Sequence, residues 1–124
     1  MLPKNAVVKA RKAIESAYSG TCSVTEYQEY VKENRSTGHR EAVVKDNLPC
    51  RLSFSSSQAA GQGETASSLN QNIKLFLSPD VVVNPGSKIT VTQNGVTTEY
   101  KNSGVPAVYE THQEIVLELF RRWA

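Results

Sequence analysis

The sequence predicts a mainly β fold, a small β-barrel of about six to seven strands with an N-terminal helix and one long inter-strand loop. Three observations predict it. Beyond residue 20 the chain is built of short segments rich in Val, Thr, Ile and Tyr in which apolar and polar residues alternate. Two of those segments are joined by Asn94-Gly95, the strongest short hairpin signal a sequence carries. Residues 55–68 contain no large apolar side chain, so they read as a loop rather than as part of a core.

The 124 residues form one domain, 1–124, able to bury roughly two-thirds of its unfolded surface. The first segment, residues 3–18, reads as the helix. Pro3 suits a first-turn position and Gly20 a C-terminal stop, while Val7, Ala10, Ile14 and Ala17 recur at helical spacing. The stripe is weak, so the helix is expected at the periphery, docked on its own barrel or on a neighbour.

Residues 21–120 are expected to form the barrel. Residues 21–30 are rich in Thr, Val and Tyr with a phase that slips midway, which predicts a bulge or corner. Residues 32–39 are polar and include Thr37-Gly38, which reads as a hairpin loop, residues 41–45 read as a short strand, and Asn47-Leu48-Pro49 as a turn. Cys50, Leu52 and Phe54 then share one face, with Arg51 and Ser53 on the other. The mobile loop expected next comprises Ser55, Ser56, Ser57, Gln58, Ala59, Ala60, Gly61, Gln62, Gly63, Glu64, Thr65, Ala66, Ser67 and Ser68. Nothing in it offsets the entropic cost of ordering by burial, and loops of that length inside a compact domain are functional or disordered.

Alternation resumes with Ile73, Leu75 and Leu77. Residues 81–83 lead to the turn Asn84-Pro85-Gly86. A two-residue type I′ turn at Asn94-Gly95 sets Gln93 against Val96, Val91 against Thr98 and Ile89 against Tyr100, all six on one face. The final segment, residues 108–123, alternates Ile115, Leu117 and Leu119 with Val116, Glu118 and Phe120. Part of it could also be helical. The strand reading is preferred because a closing strand completes a barrel.

Composition excludes several functions. Charged residues make up 21% of the chain and leave a net charge of +2, without the concentrated basic stripe of a dedicated nucleic-acid binder. No apolar run approaches the ~20 residues that cross a bilayer, so no membrane partner is expected. The opening Met-Leu-Pro-Lys-Asn does not read as a signal peptide, so synthesis in a cytoplasm is expected. In that compartment Cys22 and Cys50 read as reduced, buried thiols. Two isolated cysteines and two isolated histidines, His39 and His112, lack metal-ligand spacing, and no metal or cofactor is expected. His39 reads as exposed in a loop, and His112 as a hydrogen-bonding residue at a strand start. The serines cluster in the loop, outside the strand–turn–helix setting that activates a nucleophile. Gly61-Gln62-Gly63 lacks the lysine and glycine spacing of a phosphate loop. No catalytic residue is assigned and no enzyme activity is expected.

Four segments carry a resemblance: residues 47–54 (NLPCRLSF), 73–80 (IKLFLSPD), 85–95 (PGSKITVTQNG) and 112–123. They resemble the head-to-tail joining, or stopper, proteins of tailed bacteriophages, as found in prophages and phage-like particles of Gram-positive bacteria. The resemblance spans most of the chain and rests on segment order rather than on a catalytic signature. It implies a β-barrel assembled as a homo-oligomeric ring of six or twelve copies in the virion neck, made in the host bacterial cytoplasm. The portal and adaptor would lie above, and the tail terminator or tail tube below. It also implies that residues 55–68 point into the channel and help retain DNA, which passes without sequence recognition. The terminal Phe120, Arg121, Arg122 and Trp123 suit a partner surface, since Trp and Arg are enriched at interface hot spots. Two other readings are another neck component, such as an adaptor or tail terminator, and an OB-type barrel binding single-stranded nucleic acid. The last would bind oligonucleotides in a strongly salt-dependent way.

Overall fold

A computed structural model describes residues 3–58 and 69–123. The elements are α1 (Lys4–Ser16), β1 (Gly20–Val31), β2 (Thr37–Gln58), β3 (Leu69–Leu77), β4 (Lys88–Gln93), β5 (Val96–Asn102), β6 (Ala107–Val108) and β7 (Gln113–Leu119). The seven strands form one sheet in the order β3-β2-β1-β4-β5-β7-β6, and a further pairing joins β3 to β7. The hydrogen-bonded path therefore returns on itself through six strands, all antiparallel, with β6 sharing with β5 one edge of β7. Strands β1 to β3 form a meander and β4 returns beside β1, which is a Greek key. The mainly β fold with one N-terminal helix is thus the fold observed.

The alternating residues explain the closure. Leu52, Leu75 and Ile115 lie directly opposite one another on β2, β3 and β7, as do Ile73 and Leu117. With Cys22, Val24, Cys50, Leu77, Val83, Ile89, Val91 and Tyr100 they make the core. Burying each of the large aliphatic side chains is worth about 1.5–3 kcal/mol. The β4–β5 hairpin has the expected register, Gln93 opposite Val96 and Ile89 opposite Tyr100, and its turn places Asn94 and Gly95 at φ 54° and 77°. Cys22 and Cys50 are free and buried. The hydrogen bond to Cys50, together with burial, pushes the Cys22 thiol far up.

Two buried amides hold the connection from β3 to β4. Gln113 Nε2 donates to the Ser78 and Val81 carbonyls at 2.7 and 2.6 Å. Asn102 Nδ2 donates to Val83 and Asn84 at 3.4 and 3.3 Å, and its Oδ1 accepts from the Gly104 amide at 3.2 Å. Residues 81–83 are therefore a buttressed crossover without strand pairing, with Val83 in the core.

Several boundaries differ from the sequence reading. The first hairpin turns at residues 32–36, where Lys32 N donates to Ser36 O at 2.8 Å and Arg35 takes φ 67°, rather than at Thr37-Gly38. Gly38 lies in β2 opposite Tyr30, and a Cβ there would meet Lys32 Cε at 2.6 Å and the Tyr30 ring at 3.0 Å. Its glycine serves close side-chain packing, not a turn. His39, expected in a loop, is likewise a strand residue. Asn47-Leu48-Pro49 does not turn the chain. Asn47, at φ 54°, sits in a bulged stretch where the β1 register shifts between Cys22, Val24 and Thr25, which is the phase slip legible in residues 21–30. The expected 16-residue helix is shorter at both ends, Pro3 being its N-cap. Residues 108–123 split into β6, a turn at Tyr109 to His112, β7 and a tail without regular structure from Phe120.

Candidate functional site

Strand β2 is long because it serves two partners. Its N-terminal part pairs with β1 and its C-terminal part with β3. Each hairpin runs beyond the closed sheet as a two-stranded ribbon. The β1–β2 ribbon consists of residues 26–31 and 37–42, past the last β1–β4 pair, Thr25 with Lys88. The β2–β3 ribbon consists of residues 55–58 and 69–72, past the last β3–β7 pair, Ile73 with Leu117. Because β2 contributes one end to each, they leave the closed sheet at opposite ends.

The β2–β3 ribbon carries the segment expected to be the channel loop. Ser55, Ser56, Ser57 and Gln58 belong to β2, opposite Asn72, Gln71, Asn70 and Leu69, so these four residues, expected in the loop, are strand. A polar serine run can pair as strand because the backbone ladder needs no apolar side chain when β3 supplies its partner. The remainder, Ala59, Ala60, Gly61, Gln62, Gly63, Glu64, Thr65, Ala66, Ser67 and Ser68, lies outside the described residues. At the base of the ribbon Phe54 continues the inward face of Leu52 but is 51% exposed, since the sheet no longer closes around it. Gln93 seals this end. Its Oε1 accepts from Leu52 N at 2.9 Å and its Nε2 donates to Leu52 O at 3.4 Å, occupying the edge of β2 left free where β1 begins at Gly20.

The C-terminal residues Phe120 to Trp123 fold back on the other end. Trp123 stacks on Tyr27 at 5.1 Å, Tyr27 stacks on His39 at 5.2 Å, and Phe120 meets Trp123 edge-on at 4.9 Å. Beneath them lies Lys88, its side chain only 10% exposed. Its Nζ is 2.9 Å from Glu41, 3.4 Å from Glu99 and 5.1 Å from the Phe120 ring centroid. Trp123 Nε1 also donates to Glu41 at 2.9 Å. The hydrogen bonds from Lys88 first and Trp123 second hold the Glu41 carboxyl below its ordinary value, and the bonds to Glu41 first and Glu99 second raise the Lys88 ammonium. Of the four residues expected at a partner surface, Phe120 and Trp123 are half-buried against their own chain, whereas Arg121 and Arg122 are exposed.

His112 stands just before β7, between Tyr109 at 4.9 Å and Phe76 at 5.8 Å, with Nε2 3.0 Å from Glu114 Oε2 and Nδ1 3.2 Å from the Thr111 hydroxyl. Lys74 reaches the same carboxylate at 3.4 Å. The His112 hydrogen bond, assisted by Lys74, holds Glu114 below its ordinary value. The arrangement links β3, β7 and the turn between β6 and β7. Helix α1 contributes no buried residue. It is tied down by Arg11, which bonds Asp80 in a two-pronged pair at 3.0 and 3.1 Å and the Glu110 carbonyl at 3.1 Å.

Among the described residues no three His, Cys, Asp or Glu side chains form a metal-binding group, and no helix is long and apolar enough to cross a membrane. Sequence reasoning missed Lys88, Gln93, Asn102 and Gln113, polar residues inside strands whose partners are set by tertiary register. Only Gln93 had a signal, its place on the inward face of the Asn-Gly hairpin. No family model and no curated protein matches the chain. A solved structure similar to it is the phage-like element PBSX protein xkdH from Bacillus subtilis, at 11% identity and a TM-score of 0.48, over 80% of this chain and 91% of that one.

Proposed function

We propose that this chain is a non-enzymatic structural protein of a tailed-phage neck, one copy in a ring between the portal and its adaptor and the tail, with residues 59–68 facing the channel. The observation that carries the reading is the β2–β3 ribbon. Its strands run past the closed sheet as a paired stem, and the sequence between them is small and polar with one charge, Glu64. A paired stem fixes where the chain between its strands starts and ends. A single acidic charge gives no grip on phosphates that must later slide past. The four segments resembling the joining family support the same reading. So does the closed sheet, which leaves two ribbons and a surface helix to make contacts.

The test is to replace residues 59–68 with Asn-Gly, which suits a two-residue turn closing the Gln58–Leu69 pair. Particles carrying this variant should contain the subunit at the neck yet lose packaged DNA. Full DNA retention would end the gating role, and absence of the wild-type chain from purified particles would end the neck assignment. Strong, salt-sensitive binding of the isolated protein to single-stranded oligonucleotides would favour the OB-type reading instead.

A further inference from the structure

The C-terminal tail and Lys88 contact side chains of the β1–β2 ribbon at Tyr27, His39 and Glu41, but the described residues leave both backbone edges of the ribbon unpaired. Residues 39–47 of β2 are exposed except for the half-buried Ala42, and Val43 is 61% exposed. Among the described residues no strand pairs with residues 37–49 on the side away from β1, or with residues 26–31 on the side away from β2. An isolated two-stranded ribbon is marginal in water, and a long free edge is a template for another strand. Yet the ribbon is built to keep its shape. Tyr30 lies over Gly38, and the Arg40 guanidinium stacks on the Tyr30 ring at 4.6 Å.

The free groups can be named. Lys32 N bonds Ser36 O, so residues 32 and 36 are a hydrogen-bonded pair. In an antiparallel ladder the pairs alternate. Val31 with Thr37, Glu29 with His39, and Tyr27 with Glu41 therefore turn their amides and carbonyls outward. The two edges also differ in charge. β1 carries Glu26, which accepts from Asn84 Nδ2 at 2.7 Å, and Glu29, which lies 3.5 Å from His39, and no lysine or arginine, whereas residues 37–45 carry Arg40 and Lys45, with Glu41 already paired with Lys88.

We infer that the occupant of each edge is a second copy of this chain, the β1 edge of one subunit pairing antiparallel with the β2 edge of the next. The inference rests on the ring reading above and names the contact that builds the ring. Rotation about a ring axis preserves the axial component of strand direction, so in ribbons inclined along that axis β1 of one meets β2 of its neighbour antiparallel, and the contact is heterologous and repeatable. Two β1 edges meeting each other would set acid against acid.

The test is amide hydrogen exchange on the full wild-type chain at low and high concentration. The amides of Tyr27, Glu29 and Val31 on one strand, and of Thr37, His39 and Glu41 on the other, should slow together by at least about tenfold as concentration rises. Protection on one strand alone, or on neither, overturns the inference. Proline on each edge gives a second test, because the lost amides point outward. Glu29→Pro and His39→Pro should each be monomeric by sedimentation velocity, and an equal mixture should form dimers and nothing larger. Association of either variant alone, or no dimer from a mixture of two natively folded variants, overturns it. A chain absent from particle necks but paired through these edges would sink only the neck reading. A neck ring whose ribbons stand apart would sink only this contact.

Discussion

Substituting Gln93 by alanine tests how the closed sheet is sealed where β1 begins. The side chain supplies one well-formed hydrogen bond, from Leu52 N at 2.9 Å, and one long one, to Leu52 O at 3.4 Å. Bonds of this kind contribute about 1 kcal/mol net, and a backbone amide left without a partner costs about 1–3 kcal/mol when water cannot reach it. Leu52 is buried, but its edge lies near an open end. The loss should therefore be about 1.5–3 kcal/mol, or roughly 6–12 °C in Tm for a domain of this size. Urea denaturation of wild type and Gln93→Ala measures the energy, and amide exchange locates it. The Leu52 amide should speed up well beyond the core amides of Leu75 and Ile115. A change below about 0.5 kcal/mol, within the range of an ordinary surface substitution, with unaltered Leu52 exchange would refute the sealing role.

Leu75→Ala removes a fully buried side chain from the middle strand of the Leu52–Leu75–Ile115 layer and should cost about 2–5 kcal/mol in denaturant midpoints. Replacing residues 59–68 by Asn-Gly should leave stability equal or higher by about 1 kcal/mol, since a shorter loop costs less to close, and calorimetry would read a loss as evidence against the paired stem. Glu41 has a carboxyl pKa depressed below 4.5, so its contribution is complete above pH 4.5 and fades as pH falls through the folded value. The Tm difference between wild type and Glu41→Gln should accordingly close on acidification and persist at neutral pH. Cys22 and Cys50 should react with a thiol reagent in native buffer only as fast as the protein opens, and at once in denaturant, because both are buried.

Which parts of this fold were legible follows from the range of the forces involved. The Asn94-Gly95 hairpin was readable to its register because turn geometry and apolar alternation are local and agree. The inward faces of β2, β3 and β7 were readable for the same reason. Gly38 was misread because its reason lies across the ribbon at Tyr30, and Asn47-Leu48-Pro49 because a bulge and a turn use the same residues. The length of β2 was invisible because neither half is a strand without its separate partner. At the candidate site, the small-residue composition of residues 59–68 marked the segment, while its stem, Ser55 to Gln58, carried no apolar signal. Phe120 and Trp123 were expected at a partner surface, whereas they pack on Lys88 and Tyr27 of their own chain, which lie far away in sequence.

The central claim is best tested by electron cryomicroscopy of purified particles, with the neck density traced residue by residue. The account expects a ring of this chain between head and tail, with the β2–β3 ribbons converging on the lumen. A neck accounted for entirely by other chains, or a ring whose β2–β3 ribbons point outward, would contradict it.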